Sequence, residues 1–282
     1  MTSKQDTGKF RTNTKDQFYT HTDIAKTCIQ TILTSYPETL TYRWIEPSAG
    51  AGAFLQHVPV TVERIGLDID PKRSDILKQD YLTWVPPPAA ERSTIVFGNP
   101  PFGRQSATAK AFIAKSCGFA DIIAFILPKS FTKPSMSRAF APTFHCVHSV
   151  DVPANAFVLN GAAYDVPCVF QIWQKRAEAR PPVIAVEAVG FQYVKGDAPY
   201  DLAIRRVGAL AGRAYPAAGG PYSVQSHYFV KLAGGGTTDA AVVAARLNAH
   251  EFPSNTVGPR SLSKSEINEV LNGILEGEEG PV

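Results

Sequence analysis

The sequence predicts an α/β protein with a doubly wound, mostly parallel sheet, followed by a small α+β domain. Three observations carry this. Short, wholly apolar runs, Ile95-Val96-Phe97 and Ile122-Ile123-Ala124-Phe125-Ile126-Leu127, are each closed by proline and then polar residues, as strands buried on both faces are. Between and before them lie helical stripes: Ile24, Ala25, Cys28, Ile29, Ile32, Leu33 and Tyr36, and then Ala109, Phe112, Ile113, Ser116 and Cys117. At 282 residues, the chain is long enough for one large domain and a small one.

The first helix is expected to start at Thr22 as N-cap and to stop before Pro37. Phe18-Tyr19, just ahead of it, read locally as a hydrophobic staple. Thr41 to Ile45 forms a strand that ends in Glu46-Pro47-Ser48-Ala49-Gly50-Ala51-Gly52-Ala53-Phe54. Small residues at such a turn let a ligand approach the backbone, and a helix is expected after it. No Gly-Lys-Ser/Thr follows and the third glycine of a dinucleotide fingerprint is missing, while Glu46 would repel a phosphate. A cationic or hydroxyl-bearing ligand suits the turn better.

A second strand, Glu63 to Leu67, runs into Asp68-Ile69-Asp70, where a ribose diol lies in doubly wound sheets. The next apolar segment, Ile76 to Asp80, follows too soon for a full crossover helix. Further strands are expected around 145–152 and 168–173, with a loop or hairpin at 155–164 between them. Lys175 to Pro182, charged and then Pro-Pro, suits a boundary between a domain of residues 1–178, whose first 15 residues read as a mobile arm, and one of residues 179–282. In the latter, 183–189, 201–208 and 228–230 read as strands. Two helices follow, the last opened by the capping box Ser263 to Glu266 and ended by an acidic, frayed tail.

The net charge of +3 permits a nucleic-acid partner without demanding one. No apolar run approaches membrane length, and the start has no apolar signal core, so the expected location is cytoplasmic. The four cysteines are widely spaced and read as core residues. His145 and His148, three apart in a strand, should face opposite ways, and no metal site is expected.

The most unusual stretch is Gly98-Asn99-Pro100-Pro101-Phe102. Two prolines forbid both helix and further sheet pairing, so the chain leaves the sheet rigidly extended with Asn99 at the carboxyl edge. The Asn99 side-chain carbonyl and the Pro100 backbone carbonyl are two acceptors suited to one NH2 group, and Phe102 could offer its carrier a flat apolar face. Taken alone, Asn-Pro-Pro is equally well a stiff turn.

The ordered series FYT, EPSAGAGAF, GLDID, QDYL, NPPF and ILPKSF, over residues 16–174, resembles the S-adenosylmethionine-dependent amino-methyltransferases, in the order of the gamma class of adenine-N6 enzymes. The resemblance implies their Rossmann-like seven-stranded sheet and S-adenosyl-L-methionine as cofactor. It implies that Phe18, Tyr19 and Thr20 contact the methionine part, that Glu46, Pro47, Ser48, Ala49, Gly50 and Gly52 line it, and that Asp68 with Ile69 takes the ribose. Asp80 and Tyr81 would take the cofactor's adenine. Asn99 and Pro100, stiffened by Pro101, would hold the target amine, with Phe102 stacking on the target base. Lys129, and Phe157 or its rival Tyr164 as a second ring, would contact substrate. Arg205 and Arg206 of the C-terminal domain are candidates for phosphate contact. Relatives of NPPF also methylate RNA bases and protein glutamine. The resemblance favours DNA adenine over RNA adenosine, with protein glutamine or a catalytically silent cofactor-binding subunit as further alternatives. Oligomeric state is not legible in the sequence.

Overall fold

The structure is a computed structural model and describes residues 19–88, 92–159, 162–233 and 239–277. Phe18, the amino-terminal arm and the acidic tail lie outside these residues. The chain divides into two compact units, Met1–Val183 and Ile184–Val282.

The first unit opens with β1 (Tyr19–Thr20) and α1 (Thr22–Ser35), then β2 (Arg43–Glu46), β3 (Arg64–Asp68), β4 (Ile76–Lys78) and β5 (Thr94–Gly98). After α2 (Ala107–Cys117) come β6 (Ile122–Pro128), β7 (Phe144–Asp151), β8 (Phe157–Leu159), β9 (Ala162–Tyr164) and β10 (Cys168–Lys175). Seven of these strands form one sheet in the order β4-β3-β2-β5-β6-β10-β7. Pairing is parallel from β4 through β6, and β10 runs antiparallel to both β6 and β7. This is the doubly wound, mostly parallel arrangement the sequence predicts. The chain winds outward from β2 to β4, returns to β5 beside β2, and continues the other way. A doubly wound sheet opens its ligand crevice at such a reversal.

The central strands are apolar on both faces because both are covered. Ile45, Val96, Ile123, Phe125 and Leu127 join Ala109, Phe112 and Ile113 of α2 in one core cluster. On the alternate positions Trp44 meets Phe97 edge-on at 5.1 Å, and Phe54 packs on Phe97 at 6.5 Å.

Three local expectations change. The residue capping α1 is His21, whose Nδ1 accepts from the Asp23 amide, and Thr22 is the first helical residue. No α-helix follows the Gly50–Gly52 turn. Both glycines have positive φ, and only a 3-10 turn, Leu55–His57, forms before Pro59 disfavours helix at Val58. Between β3 and β4 the crossover is bare loop, in keeping with the short interval between them. His145 and His148 lie on the same face of β7, because the register slips between them: His145 pairs with Gln174 and His148 with Ile172, two residues apart on β10. No group of His, Cys, Asp and Glu that could hold a metal occurs among the described residues. No helix among them is long and apolar enough to cross a membrane.

The second unit is a four-stranded antiparallel sheet, β11 (Phe191–Val194), β12 (Leu202–Arg205), β13 (Ala214–Pro216) and β14 (His227–Leu232), in the order β11-β14-β12-β13. The helices α3 (Ala240–Ala249) and α4 (Lys264–Glu276) share its core through Val243, Leu247, Ile267 and Leu271. The Ser263 to Glu266 capping box is present. The strand expected over 183–189 is absent. Side-chain amides of α4 take its backbone groups instead: Asn268 donates to Val186 O, and Asn272 donates to Glu187 O while accepting from Val189 N.

Arg180 locks the end of the first unit. Its guanidinium donates to the carbonyls of Ser137, Phe140, Ala141 and Phe144 and lies over the Trp173 ring. Desolvation lowers its pKa. Arg180→Ala would strip charged donors from four carbonyls at once, and is expected to destabilise the first unit by more than about 2 kcal/mol in chemical denaturation.

Candidate functional site

At the carboxyl edge of the sheet, where β2 and β5 lie side by side, one pocket is lined by both strand ends and by the loops that leave them. Its lining brings together Tyr19, Thr20, Glu46, Pro47, Ser48, Ala49, Gly50, Asp68, Ile69, Asp80, Tyr81, Asn99, Pro100, Pro101 and Phe102. These residues come from five separate segments of the sequence.

Glu46 ends β2 and is 1% exposed. Its Oε2 accepts from the Leu55 amide at 3.0 Å. Burial pushes its carboxyl well above the ordinary range, with Asp68 adding to the rise while the Leu55 amide and Arg73 oppose it. The adjacent end of β5 favours glycine, because Gly98 has φ +123, which L side chains rarely adopt, and a Cβ there would stand 3.1 Å from Glu46 Cγ. Gly50, at φ +51, donates its amide to Asp68 Oδ2 at 2.7 Å, and a Cβ there would stand 3.1 Å from the Tyr19 ring. Asp68 Oδ1 accepts from the Asp70 amide at 2.8 Å, so backbone groups orient both carboxylate oxygens. Asp80 accepts from the Leu82 amide, and Tyr81 beside it is buried with its hydroxyl on Ser116.

Asn99 is fixed through both its side chain and its main chain. Its Nδ2 donates to Thr20 Oγ1 at 3.1 Å, and its backbone carbonyl accepts from Ser48 Oγ at 3.0 Å. Thr20 reaches it from the other end of the domain. β1 is the edge of a three-stranded sheet, β1-β8-β9, in which Thr20 pairs with Phe157 and Phe157 with Tyr164. The His21 amide adds a bond to Ala156 O.

The remaining sequence-predicted residues stand outside the lining. Gly52 lies under the Arg73 guanidinium. Lys129 pairs with Asp151 at 2.9 Å. Phe157, expected as a stacking ring, is 1% exposed and therefore lacks a face to offer a base, and Tyr164 is half-buried opposite it. Arg205 and Arg206 belong to the second unit, where Arg205 donates to Val207 O, and Arg206 donates to Gln225 O and lies over Tyr228. The lining also includes Ala51, Ala53, Phe54, Asp70 and Phe112. Asp70 was legible as the second acid of GLDID; Phe112 reads in sequence only as a core position of α2.

The donor set suits S-adenosylmethionine. An apolar wall (Ile69, Tyr81, Phe102, Phe112), carboxylates at the turn and strand ends, and a glycine-shaped approach at Gly50 fit a flat base, a diol and a cationic sulfonium together.

No protein-family profile matches the chain, and no curated protein matches it. Solved structures do match in part. An assigned RNA methyltransferase of Pyrococcus horikoshii is 14% identical, over 57% of this chain and 88% of that one, with a TM-score of 0.43. The methyltransferase subunit of a type I restriction-modification system from Streptococcus thermophilus is 18% identical, over 57% and 45%, at 0.43. A 23S rRNA methyltransferase is 17% identical, over 57% and 70%, at 0.38.

The raised Glu46 pKa carries a stability consequence. A carboxyl protonated more readily in the folded state contributes fully below its ordinary value of 4.5, and that contribution is lost as pH rises through the folded value. Glu46→Gln cannot ionise. Its unfolding free energy is expected to gain on the parent's as pH climbs above about 4.5, measured by denaturant titration at several pH values.

Proposed function

We propose that the chain is an S-adenosylmethionine-dependent methyltransferase that modifies the exocyclic N6 amine of adenine in DNA. The observation that carries this reading is Asn99-Pro100-Pro101-Phe102 leaving β5 at the reversal of the sheet, in one pocket with Glu46, Asp68 and Asp80.

Tyr19, Ser48, Ala49 and Gly50 would hold the methionine end of the cofactor, Asp68 with Ile69 its ribose, and Asp80 with Tyr81 its base. Bound S-adenosylmethionine supplies an electrophilic methyl group on a sulfonium. The protein's task is to present the acceptor nitrogen. An adenine amine is a weak nucleophile because its lone pair is delocalised into the ring. Two acceptors, Asn99 Oδ1 and Pro100 O, would take its two hydrogens and turn the lone pair out of the ring plane. Orientation of this kind supplies most of the rate. A neutral amide suffices, since the nitrogen gives up its proton after the new bond forms. Phe102 would support the base by stacking, offsetting part of the few kcal/mol needed to extrude it from a duplex. The buried Phe157 drops out of this role.

Asn99→Ala is expected to bind cofactor with unchanged affinity by calorimetry and to lose methyl transfer by on the order of 10²-fold or more. Labelled cofactor offered to duplex DNA, single-stranded DNA, total RNA and a protein extract identifies the acceptor. Label confined to RNA would move the reading to RNA adenosine, and label confined to protein would refute the nucleic-acid reading. Undiminished transfer by Asn99→Ala would refute the mechanism.

A further inference from the structure

We infer that Thr20 is a positioning residue for Asn99, and that the small sheet β1-β8-β9 exists at the site to hold it there. The inference rests on the methyltransferase reading and assigns a role that cofactor contact does not require. Thr20 Oγ1 accepts from Asn99 Nδ2 at 3.1 Å across 79 residues of sequence. The Thr20 hydroxyl can donate or accept, and here it accepts from the donor end of the amide and so holds that side chain in place. With Nδ2 directed to Thr20, the acceptor is the other end, as an amine-binding role demands.

The rest of the local structure stiffens this contact. Thr20 is 8% exposed. Its backbone is paired with Phe157, and the His21 amide is bonded to Ala156 O, so β1 cannot shift without breaking strand pairing. Phe157, the cross-strand partner of Thr20, is buried and is itself paired with Tyr164, so β1 is seated on a hairpin whose middle strand is packed into the protein. Ser48 holds the Asn99 main chain from the opposite side through its carbonyl. Asn99 is thereby tied both to the glycine-rich turn and to a strand from the beginning of the chain, so the acceptor and the cofactor wall are parts of one frame.

Two measurements on the full chain test this. The first needs no turnover: the side-chain amide protons of Asn99, assigned by their disappearance in Asn99→Ala, are followed by hydrogen exchange in the parent, Thr20→Val and Thr20→Ser. Faster exchange in Thr20→Val with protection restored in Thr20→Ser is expected; unchanged exchange in Thr20→Val overturns the inference. The second is kinetic. Thr20→Val should lower kcat about tenfold, the size of one positioning hydrogen bond, while changing KM for cofactor less than threefold, and Thr20→Ser should stay within about threefold of the parent. In the Asn99→Ala background, adding Thr20→Val should change the residual rate less than twofold, because residues acting through one another are not additive. An equal loss in both backgrounds overturns the inference. If Thr20→Val fails to fold, the serine variant and its amide exchange carry the test, and a parent-like signal is then required. A parent enzyme that methylates no acceptor, with amide exchange responding as expected, instead locates the failure in the methyltransferase reading.

Discussion

The site depends on how closely the ends of β2 and β5 approach each other. Glu46 is buried at the end of one, and Gly98 stands at the end of the other with a positive φ and only 3.1 Å between its would-be Cβ and Glu46 Cγ. That approach fixes where the chain leaves the sheet, and the two prolines after Asn99 keep it extended from that point. A Cβ at Gly98 would force either the carboxyl of Glu46 or the β5 exit to move, and with the exit would go Asn99, Ser48 and the pocket wall. Burial raises the Glu46 pKa, and the Leu55 amide offsets part of the cost of placing the carboxyl there. An ionised carboxylate at that depth would work against the fold it anchors.

The large sheet was legible in the sequence because its strands are apolar on both faces and end in proline, a pattern that needs no tertiary information. The position of Asn99 was legible for a similar reason: two prolines after a buried run place it at the carboxyl edge of the sheet, although that stretch alone fits a stiff turn equally well. The small sheet was legible only in part: its hairpin β8-β9 falls within the loop or hairpin expected at 155–164, but the pairing of β1 with it was not foreseen. Its strands span two or three residues each, and β1 finds its partner far along the chain, so no periodicity announces it. Phe157 was read as a ligand-facing ring from a loop, whereas it lies buried in the strand that pairs with Thr20. The segment 183–189 failed in the opposite sense. Its alternation is that of a strand, yet Asn268 and Asn272 satisfy its backbone from a helix, which an alternation pattern cannot distinguish from a sheet partner. The slip in β7 likewise defeated the two-residue rule for His145 and His148 by inserting one residue.

The two units differ in charge, and this bears on how a polyanionic substrate would be held. Residues 1–183 contain 20 basic and 15 acidic residues, whereas residues 184–282 contain 8 and 10. Arg205 and Arg206, the candidates for phosphate contact in the second unit, already spend guanidinium donors on carbonyls of their own unit. Phosphate attraction is a sum over cations and is strongly salt-dependent, while base recognition depends on a few well-placed donors and acceptors. The excess of basic residues lies in the unit that carries Asn99.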